Sequence, residues 1–444
     1  MDRSLWAVLG GTFTLRFSTG LTGSMLAVYL STLHLHGGTF VEPTTLAWLH
    51  ASFYLSELSL SPFFGVLSDR FGHHRVMLIG PAFGAVAVIL TGLTTNLVIL
   101  GGTRILEGAS TAASIPSILG YIALVTAGNE LLRGKAAARF EGATLAGIGV
   151  GLAASSGLFA LFGPTAFFLN ALVYVVSFAI YRWGVDDLQV DERAARAAAA
   201  AAGGRSQMDL GRYVTLLRSS HVWLLAPTWI AVNAAIGLWF SQALFTFSRA
   251  NPNFPEQLLM RGFDWLQITL AVIGIGVVFA AGLLYWGNRF KVFRRTTIIA
   301  SGIVGGGVMA AGAFVVNHAE GVPLVLPIVA GIAAAAGLFV LAGATPAAVG
   351  LLADMSEAFP TDRGAIMGLY SVFLALGQIG GSLIGGYAAE WKGIDGLLIG
   401  TAVVLAVALL PLAQLRRQEF LLEQQYPELA PETARHGVPP EEPA

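Results

Sequence analysis

The sequence predicts an all-α membrane protein, with 12 transmembrane helices in two pseudo-symmetric six-helix bundles. Composition is the first reason, since 55% of the 444 residues are hydrophobic, only 11% are charged, and the mean hydropathy is +0.71. Soluble globular chains do not have this balance. Apolar runs of the roughly 20 residues needed to cross a bilayer recur along the chain. Several positions also repeat between its two halves, which predicts two related bundles.

The first six apolar runs form the predicted N-terminal bundle, residues 1–183. The chain enters the first run almost at once, and this run is longer than the hydrophobic core of a signal peptide. We therefore interpret it as a transmembrane helix. The six predicted spans cover residues 5–33, 44–68, 76–95, 97–127, 140–162 and 165–182.

A polar, Ala-rich stretch at residues 184–220 is the predicted cytoplasmic linker, and residues 221–417 form the predicted C-terminal bundle. From residue 418 to 444 the chain is acidic and rich in proline. Such a segment lacks the apolar residues needed to fold alone, so we expect a disordered cytoplasmic tail. The six spans of the second bundle are predicted at residues 221–247, 263–287, 296–317, 321–350, 364–390 and 395–415.

The distribution of basic residues predicts the orientation of the helices. If both termini are cytoplasmic, 20 of the 25 Lys and Arg residues lie in cytoplasmic segments, and only Arg249, Arg261 and Lys392 lie outside. Short loops rich in Lys and Arg stay on the cytoplasmic side of the membrane. The other two basic residues, Arg16 and Arg104, fall inside predicted helices.

An internal repeat relates the two bundles. Gly147 and Gly151 recur in the second half as Gly377 and Gly381, and the interval between the copies is the same for both glycines. Two homologous halves explain such matches better than chance does. Further aligned positions are Gly20 with Gly237, Pro116 with Pro346, and Asp69-Arg70 with Asn288-Arg289.

The repeat also predicts that the N-terminal half holds the deeply buried charges: Arg16, Glu57, Arg104 and Glu107. In this alignment their counterparts are the uncharged Asn233, Gly276, Ala334 and Gly337, while Asp69 and Gly72 are replaced by Asn288 and Lys291.

These four buried charges are candidates for proton coupling. An ionised group at mid-bilayer is costly unless it is paired or hydrated. Arg104 and Glu107 share a helix face at i, i+3 spacing, and Arg16 and Glu57 fall at similar depth. We hypothesise that Glu57 or Glu107 binds and releases a proton while the neighbouring arginine, always protonated, responds to its charge. The alternative is two permanent ion pairs that merely neutralise buried charge.

A charged turn between the second and third spans carries a recognisable motif, Gly65-x-x-x-Asp69-Arg70-x-Gly72 followed by Arg75. It resembles the signature of the major facilitator superfamily of secondary transporters, in particular its bacterial drug/proton antiporters. The resemblance implies two bundles that rock about a central cavity. It also implies that this turn is one half of a conformational latch.

The latch implied by the resemblance places Asp69 near the start of the eleventh predicted span, at residues 362–365, when the cytoplasmic side of the transporter is closed. Arg104-Ile-Leu-Glu-Gly108 resembles the helix-four motif that the family's antiporters use in proton handling. In helix five, Gly147 begins a stretch that resembles the antiporter motif, with Leu152 in place of its proline.

The substrate cavity is predicted between the bundles and should be apolar and aromatic with few polar anchors, which favours lipophilic or amphiphilic compounds. For each candidate, ordinary helix packing is the alternative. The candidates are Phe17, Tyr29, Tyr54, Trp229, Asn233, Trp239, Gln242, Gln267, Tyr370 and Gln378.

Together these features predict a secondary active transporter of the bacterial plasma membrane that exports drug-like compounds in exchange for protons. An importer of a small metabolite, a lipid-moving facilitator and a non-transporting sensor or assembly protein are the alternatives. We expect small-molecule substrate, protons and lipids as partners, a monomer, and no nucleic acid or cofactor. No phosphate-binding loop or catalytic constellation indicates an enzyme. No metal site is expected, and His73 and His74 should lie on a solvated surface.

Overall fold

The computed structural model describes residues 3–126, 130–187, 222–289, 292–357 and 363–425. Most of the predicted linker, and the tail beyond residue 425, lie outside these ranges. Within the described residues, helices are the regular secondary structure. The chain divides into two compact units. Unit 1 comprises Met1–Met208, Phe247–Arg249 and Phe263–Val272, and unit 2 comprises Asp209–Thr246, Ala250–Gly262 and Ile273–Ala444.

The helices of the first half follow the predicted spans closely. The second predicted span continues through the motif turn as far as Phe71, and a five-residue helix then leads into the third. The helices are α1 Arg3–Ser31, α2 Pro43–Phe71, α3 His73–Met77, α4 Ile79–Leu93, α5 Leu97–Val125, α6 Glu130–Phe162 and α7 Ala166–Gly184.

The second half repeats the order of the six spans, with differences in its fourth span and its last two. Its fourth span is split at Gly343, and its last two spans form one helical run that is broken at Lys392 and Gly393, where Gly393 has a φ of 58°. The helices are α8 Val222–Phe247, α9 Trp265–Gly287, α10 Arg295–Asn317, α11 Val325–Ala342, α12 Ala344–Glu357, α13 Arg363–Leu409 and α14 Leu412–Gln425.

Eight segments among the described residues are long and apolar enough to cross a membrane. Two of them, Ala138–Gly184 and Ser371–Leu409, with 47 and 39 residues, are long enough to hold two predicted spans each, α6 with α7 and the two parts of α13. The 29-residue helices α1 and α2 are richer in polar residues and lie outside the eight. This helical order is consistent with the 12 predicted spans.

In unit 1, glycines of α6 pack directly against the backbone of α1. A Cβ atom at Gly147 would lie 2.6 Å from the Phe13 carbonyl oxygen, and one at Gly151 would overlap the Phe17 carbonyl oxygen. Only residues without a side chain allow two helix backbones to approach this closely. The small-residue pattern of the sequence therefore marks a packing surface.

Unit 2 repeats this crossing between α8 and α13. A Cβ atom at Gly377 would lie 2.7 Å from the Ile230 carbonyl oxygen, and one at Gly381 would overlap the Ala234 carbonyl oxygen. Ile230 follows Phe13 by the same interval that separates Gly237 from Gly20 in the repeat. One sequence interval relates α1 to α8, and another relates α6 to α13. The two crossings therefore have matching contacts in the two units.

The same comparison corrects the predicted register of the second helix in each half. The Cβ position of Gly65 lies 3.8 Å from Pro116, and that of Gly287 lies 4.0 Å from Pro346. Because the two prolines are equivalent, Gly287 is the counterpart of Gly65, and the pairing of Asp69 with Asn288 is wrong. The corrected register aligns Asp69 with Lys291, so the second copy still lacks the carboxylate.

The predicted disorder from residue 418 is wrong at its start. Helix α14 continues to Gln425, and Glu419 is only 4% exposed. Burial of Leu415 together with this carboxyl group holds the segment on unit 2, which the acidic composition alone did not indicate.

Candidate coupling site in the N-terminal unit

Helix α5 carries a buried ion pair. The Asn96 side chain accepts hydrogen bonds from the backbone N–H groups of Val98 and Ile99 and so caps the start of the helix. Two turns later, Arg104 and Glu107 lie on one face and form a salt bridge. Their side chains are only 4% and 1% exposed. A charged pair this deeply buried is costly to desolvate, so the arginine and the carboxylate depend on each other.

Arg104 is enclosed by residues of α2. Its guanidinium carbon lies 5.2 Å from the centroid of the Phe53 ring, a cation–π arrangement. The charge of Arg104 also acts on His50, one turn earlier on α2. Gly108 permits this approach, since a Cβ atom there would overlap the Phe53 carbonyl oxygen. The helix-four motif therefore places an arginine and a tight helix crossing together.

Glu107 points toward two other helices. The hydroxyl-bearing side chains of Thr22 on α1 and Tyr174 on α7 lie near its carboxyl group. Tyr174 is buried, and Asn170 on the same helix donates a 2.7 Å hydrogen bond to the Thr22 hydroxyl. The carboxylate thus lies near the place where α1, α5 and α7 meet, and neither of its oxygens accepts a hydrogen bond from another described helix.

A second charged group lies between α1 and α2. The charges of Arg16 and Glu57 act on each other, and Glu141 on α6 also feels Arg16. Tyr54, one turn before Glu57, interacts with Glu57, Arg16 and Arg104. Arg16 is thus near enough for its charge to act on Glu57, although the two side chains form no ion pair in this arrangement. Tyr54 connects this group to the first ion pair.

Three contributors to this site were not among the predicted coupling residues: His50, Glu141 and Tyr174. His50 lies two helical turns before Glu57 and on the same helix face, so its spacing could have identified it. Glu141 and Tyr174 reach the site through the packing of α6 and α7, and no local spacing in the sequence reports that packing.

The motif turn divides into a structural part and an exposed part. Gly72 ends α2 with a φ of 101°, a conformation that favours glycine. Asp69 and Arg70 are exposed at the end of α2, and Arg75 lies 3.8 Å from Asp187 at the end of α7. The proposed partner of Asp69 begins at residue 362, which lies outside the described residues, so the latch stays a prediction.

The two histidines of this turn do not lie on a solvated surface as predicted. His74 is 5% exposed, and its Nε2 lies 2.9 Å from the Tyr181 carbonyl oxygen. The His73 ring packs against Gly120. Because Gly72 redirects the chain into α3, both rings turn toward the helices. Within the described part of the chain, no group of three or more potential metal ligands was found.

The cavity candidates of unit 1 have local partners. Phe17 stacks on Phe13 with 6.5 Å between the ring centroids, and Tyr29 donates a hydrogen bond to the Thr94 carbonyl oxygen. Gln267 lies in the first turn of α9, where its Oε1 accepts a 3.1 Å hydrogen bond from the Asp264 N–H. The Gln267 amide therefore caps a helix.

The candidates of unit 2 are mostly buried polar groups. Asn233 donates a 2.9 Å hydrogen bond to the carbonyl oxygen of Trp229, one turn earlier, and the Trp239 indole donates to Thr401. Gln242 and Gln378 are also buried. The side chain of Tyr370 lies outside the described residues. Their contact with substrate stays a prediction.

A single protein family matches both halves of the chain. The model of the Major Facilitator Superfamily matches residues 8–248 and 238–436. Multidrug resistance protein 2 of Bacillus subtilis (strain 168) is 26% identical over 383 residues, which are 85% of this chain and 87% of that protein. Quinolone resistance protein NorA of Staphylococcus aureus (strain MRSA252) is 28% identical over 130 residues, or 29% of this chain and 32% of NorA.

Solved structures share the fold at low sequence identity. A peptide transporter, POT, solved in complex with sulfate, superposes with a TM-score of 0.68 at 16% identity and covers 95% of this chain and 96% of its own. The nucleoside transporter NupG has a TM-score of 0.65 at 13% identity, over 95% and 99% of the two chains. Sequence identities this low support a shared fold and give no information about the substrate.

Proposed function

Because this chain belongs to the Major Facilitator Superfamily, we propose that it exports lipophilic or amphiphilic compounds by alternating access, in exchange for protons. Membrane transport follows from the family, whose members are transporters rather than enzymes. The relatives named for multidrug and quinolone resistance support export of drug-like molecules. The scarcity of charged groups among the cavity candidates also favours apolar substrates.

The observation that carries the proton-coupling proposal is the buried Arg104–Glu107 pair. Protonation of one Glu107 carboxylate oxygen removes the negative charge that compensates Arg104. The neutral carboxyl lies near the Thr22 and Tyr174 hydroxyls, whereas Arg104 keeps its charge and needs a new environment. Proton binding therefore changes which helix arrangement is stable, which is the requirement for coupling a proton to a conformational change.

The Arg16–Glu57 group provides a second carboxylate for the same role. Because Tyr54 interacts with members of both groups, a change of charge in one alters the field at the other. Interacting sites of this kind titrate as a set rather than singly. We therefore propose that Glu57 and Glu107 share the work of proton exchange, with Glu107 as the better enclosed of the two.

The test is transport in liposomes with an imposed pH gradient, using a fluorescent lipophilic cation as the substrate. We expect the gradient to drive export by the wild type, and Glu107→Gln to abolish the dependence on the gradient while Glu57→Gln reduces it. Glu256→Gln, which changes an exposed carboxylate in a loop, is the matched control and should transport normally. Gradient-driven export that persists unchanged in both membrane variants would contradict the proposal.

A further inference from the structure

Helix α14 has two chemically different faces. Leu415 and Glu419 are buried, and Leu422 and Glu423, which follow on the same side, are half-buried. On the opposite side the residues are exposed and include two arginines and two large apolar side chains. These are Arg416, Arg417, Phe420 and Leu421. The spacing i, i+1, i+4, i+5 keeps them on one stripe of the helix.

The inner face is fastened to the start of α10. One Glu419 oxygen accepts a 2.7 Å hydrogen bond from the Arg295 N–H, and the other accepts hydrogen bonds from the Thr296 N–H and hydroxyl. The first N–H groups of a helix have no partner within it, so Glu419 caps α10 from another helix. Glu423 accepts three hydrogen bonds from the Arg294 guanidinium, at 3.0 to 3.1 Å. The orientation of α14 about its axis is thereby fixed.

The outer face has no comparable partners. Arg416 and Arg417 make no hydrogen bond or ion pair to another described residue. Phe420 and Leu421 are 38% and 49% exposed. The Phe420 ring is packed on one side by the Arg294 guanidinium at 4.0 Å, which leaves its other side open. Basic and apolar side chains together on one face are typical of helices that lie in the membrane interface.

The position of α14 in the chain indicates that membrane lipid covers its outer face. It begins at Leu412, directly after the last membrane span, which ends at Leu409. At a rise of about 1.5 Å per residue, Arg416 and Arg417 follow the end of that span by at most about 12 Å of chain. A helix that turns to lie along the membrane surface at this point keeps both arginines beside the lipid headgroups. Cytoplasmic leaflets carry anionic lipids, which attract basic segments beside a membrane span.

We propose that the outer face of α14 binds the headgroups of anionic phospholipids. Arg416 and Arg417 contact the lipid phosphates, and Phe420 and Leu421 enter the boundary with the acyl chains. Since Glu419 and Glu423 fasten the same helix to α10, the lipid charge stabilises the junction of α14 with the membrane end of α10. This site does not depend on which substrate is transported or on whether protons drive it.

The natural absence of cysteine permits a direct test on the full chain. Gln424→Cys on the exposed side of α14 would carry a fluorophore, and the protein would be placed in phosphatidylcholine vesicles. The vesicles would contain a small fraction of headgroup-spin-labelled phosphatidylglycerol or, separately, spin-labelled phosphatidylcholine. We expect stronger quenching by the anionic lipid, and loss of about fivefold in relative lipid association for each arginine removed.

Two variants and one competitor make the result decisive. Arg416→Gln/Arg417→Gln should remove the preference for phosphatidylglycerol, whereas Arg416→Lys/Arg417→Lys should retain most of it because the charge remains. Gln414→Ala, an uncharged change on the exposed side, is the control. Equal quenching by both lipids in the otherwise wild-type chain, or an unchanged preference in the double Gln variant, overturns the proposal.

The competitor is inorganic phosphate, added to a total ionic strength of about 10 mM, at which the Debye length is roughly 30 Å. General screening is therefore weak, and a direct contact with lipid phosphate should survive. Loss of the lipid preference under these conditions would assign the arginines to a soluble anion and would also overturn the proposal.

Discussion

The α1–α6 crossing in unit 1 and the α8–α13 crossing in unit 2 have the same backbone geometry and different chemistry. In both, two glycines at i, i+4 spacing lie against carbonyl oxygens of the partner helix. Beside the first crossing the protein has Arg16, whose counterpart beside the second is the neutral Asn233. The helix-packing framework is therefore repeated, whereas the buried charge is not.

This difference separates what the fold needs from what the proposed coupling needs. A close helix crossing depends on the absence of a side chain and must recur wherever the crossing recurs. A buried ion pair is costly to desolvate and adds little net stability. At this position of the repeat, unit 1 has the Arg104–Glu107 pair and unit 2 has Ala334 and Gly337. We infer that the charges of unit 1 are kept for function.

The largest effect should come from breaking that charge pair. Glu107→Ala leaves Arg104 buried and unpaired, which should lower the free energy of unfolding by about 3–5 kcal/mol. Arg104→Met combined with Glu107→Leu removes both charges and should recover most of the loss while abolishing proton-driven export. Denaturant titration in mixed micelles measures the stability. A double variant no more stable than Glu107→Ala would show that the pair itself holds unit 1 together.

The second effect tests the shared geometry. Gly151→Ala and Gly381→Ala each place a methyl group into a carbonyl oxygen of the neighbouring helix, so each should cost about 1–3 kcal/mol. Gly149→Ala and Gly380→Ala are matched controls, because nothing lies within 4 Å of either Cβ position. They should be neutral or slightly stabilising. If Gly381→Ala alone were tolerated, the two crossings would not be equivalent in strength.

Much of the fold could be read from the sequence because its determinants are local. Apolar length identifies spans, and small residues at i, i+4 identify crossings. Sequence similarity gave the wrong alignment of the second helix in each half, where two registers are possible. Asn288-Arg289 resembles Asp69-Arg70, yet the packing of Gly287 on Pro346 selects a different register. Similarity of a dipeptide is weaker than a contact between helices that recurs in both units.

The candidate site was predictable only along single helices. The i, i+3 spacing of Arg104 and Glu107 placed them together, because a helix fixes that geometry. The contact of Glu107 with Tyr174 depends on how α5 and α7 pack, which no spacing encodes. Glu419 was missed for a related reason. A carboxylate in an acidic segment looks solvated unless the helix start that it caps is known.

The third effect concerns the turns, where the two units differ in backbone as well as charge. Gly72 has a φ of 101°, whereas Arg294, its counterpart in the register set by Gly65 and Gly287, has a φ of −62°. Gly72→Ala should therefore cost about 1–2 kcal/mol of unfolding free energy from backbone strain. Gly65→Ala, in the same motif but with only ordinary contacts, is the control. Equal stability of the two variants would mean that the turn can relax.

The smallest expected effect is a pH dependence confined to unit 2. Burial raises the pKa of Glu419 above its usual 4.5, and hydrogen bonds from Thr296 and the Arg295 N–H lower it in part. Because the folded state favours the protonated carboxyl, docking of α14 should be strongest below about pH 4.5. It should weaken as the pH rises through the raised pKa. The charge of Glu423 adds to this effect, since it repels the ionised Glu419.

A spin label on Gln418→Cys would report this docking as side-chain mobility between about pH 4 and 8, a range chosen to bracket the ordinary carboxyl and histidine pKa values. Glu419→Gln should abolish the dependence, because an amide does not titrate. In unit 1 the exposed Arg75–Asp187 pair, at 3.8 Å, contributes little, so Asp187→Asn should leave α14 unaffected. A pH dependence that survives Glu419→Gln would move the titrating group to the neighbouring Asp354, whose pKa is raised by burial to about 6. The buried cap would then hold α14 by packing and not by charge.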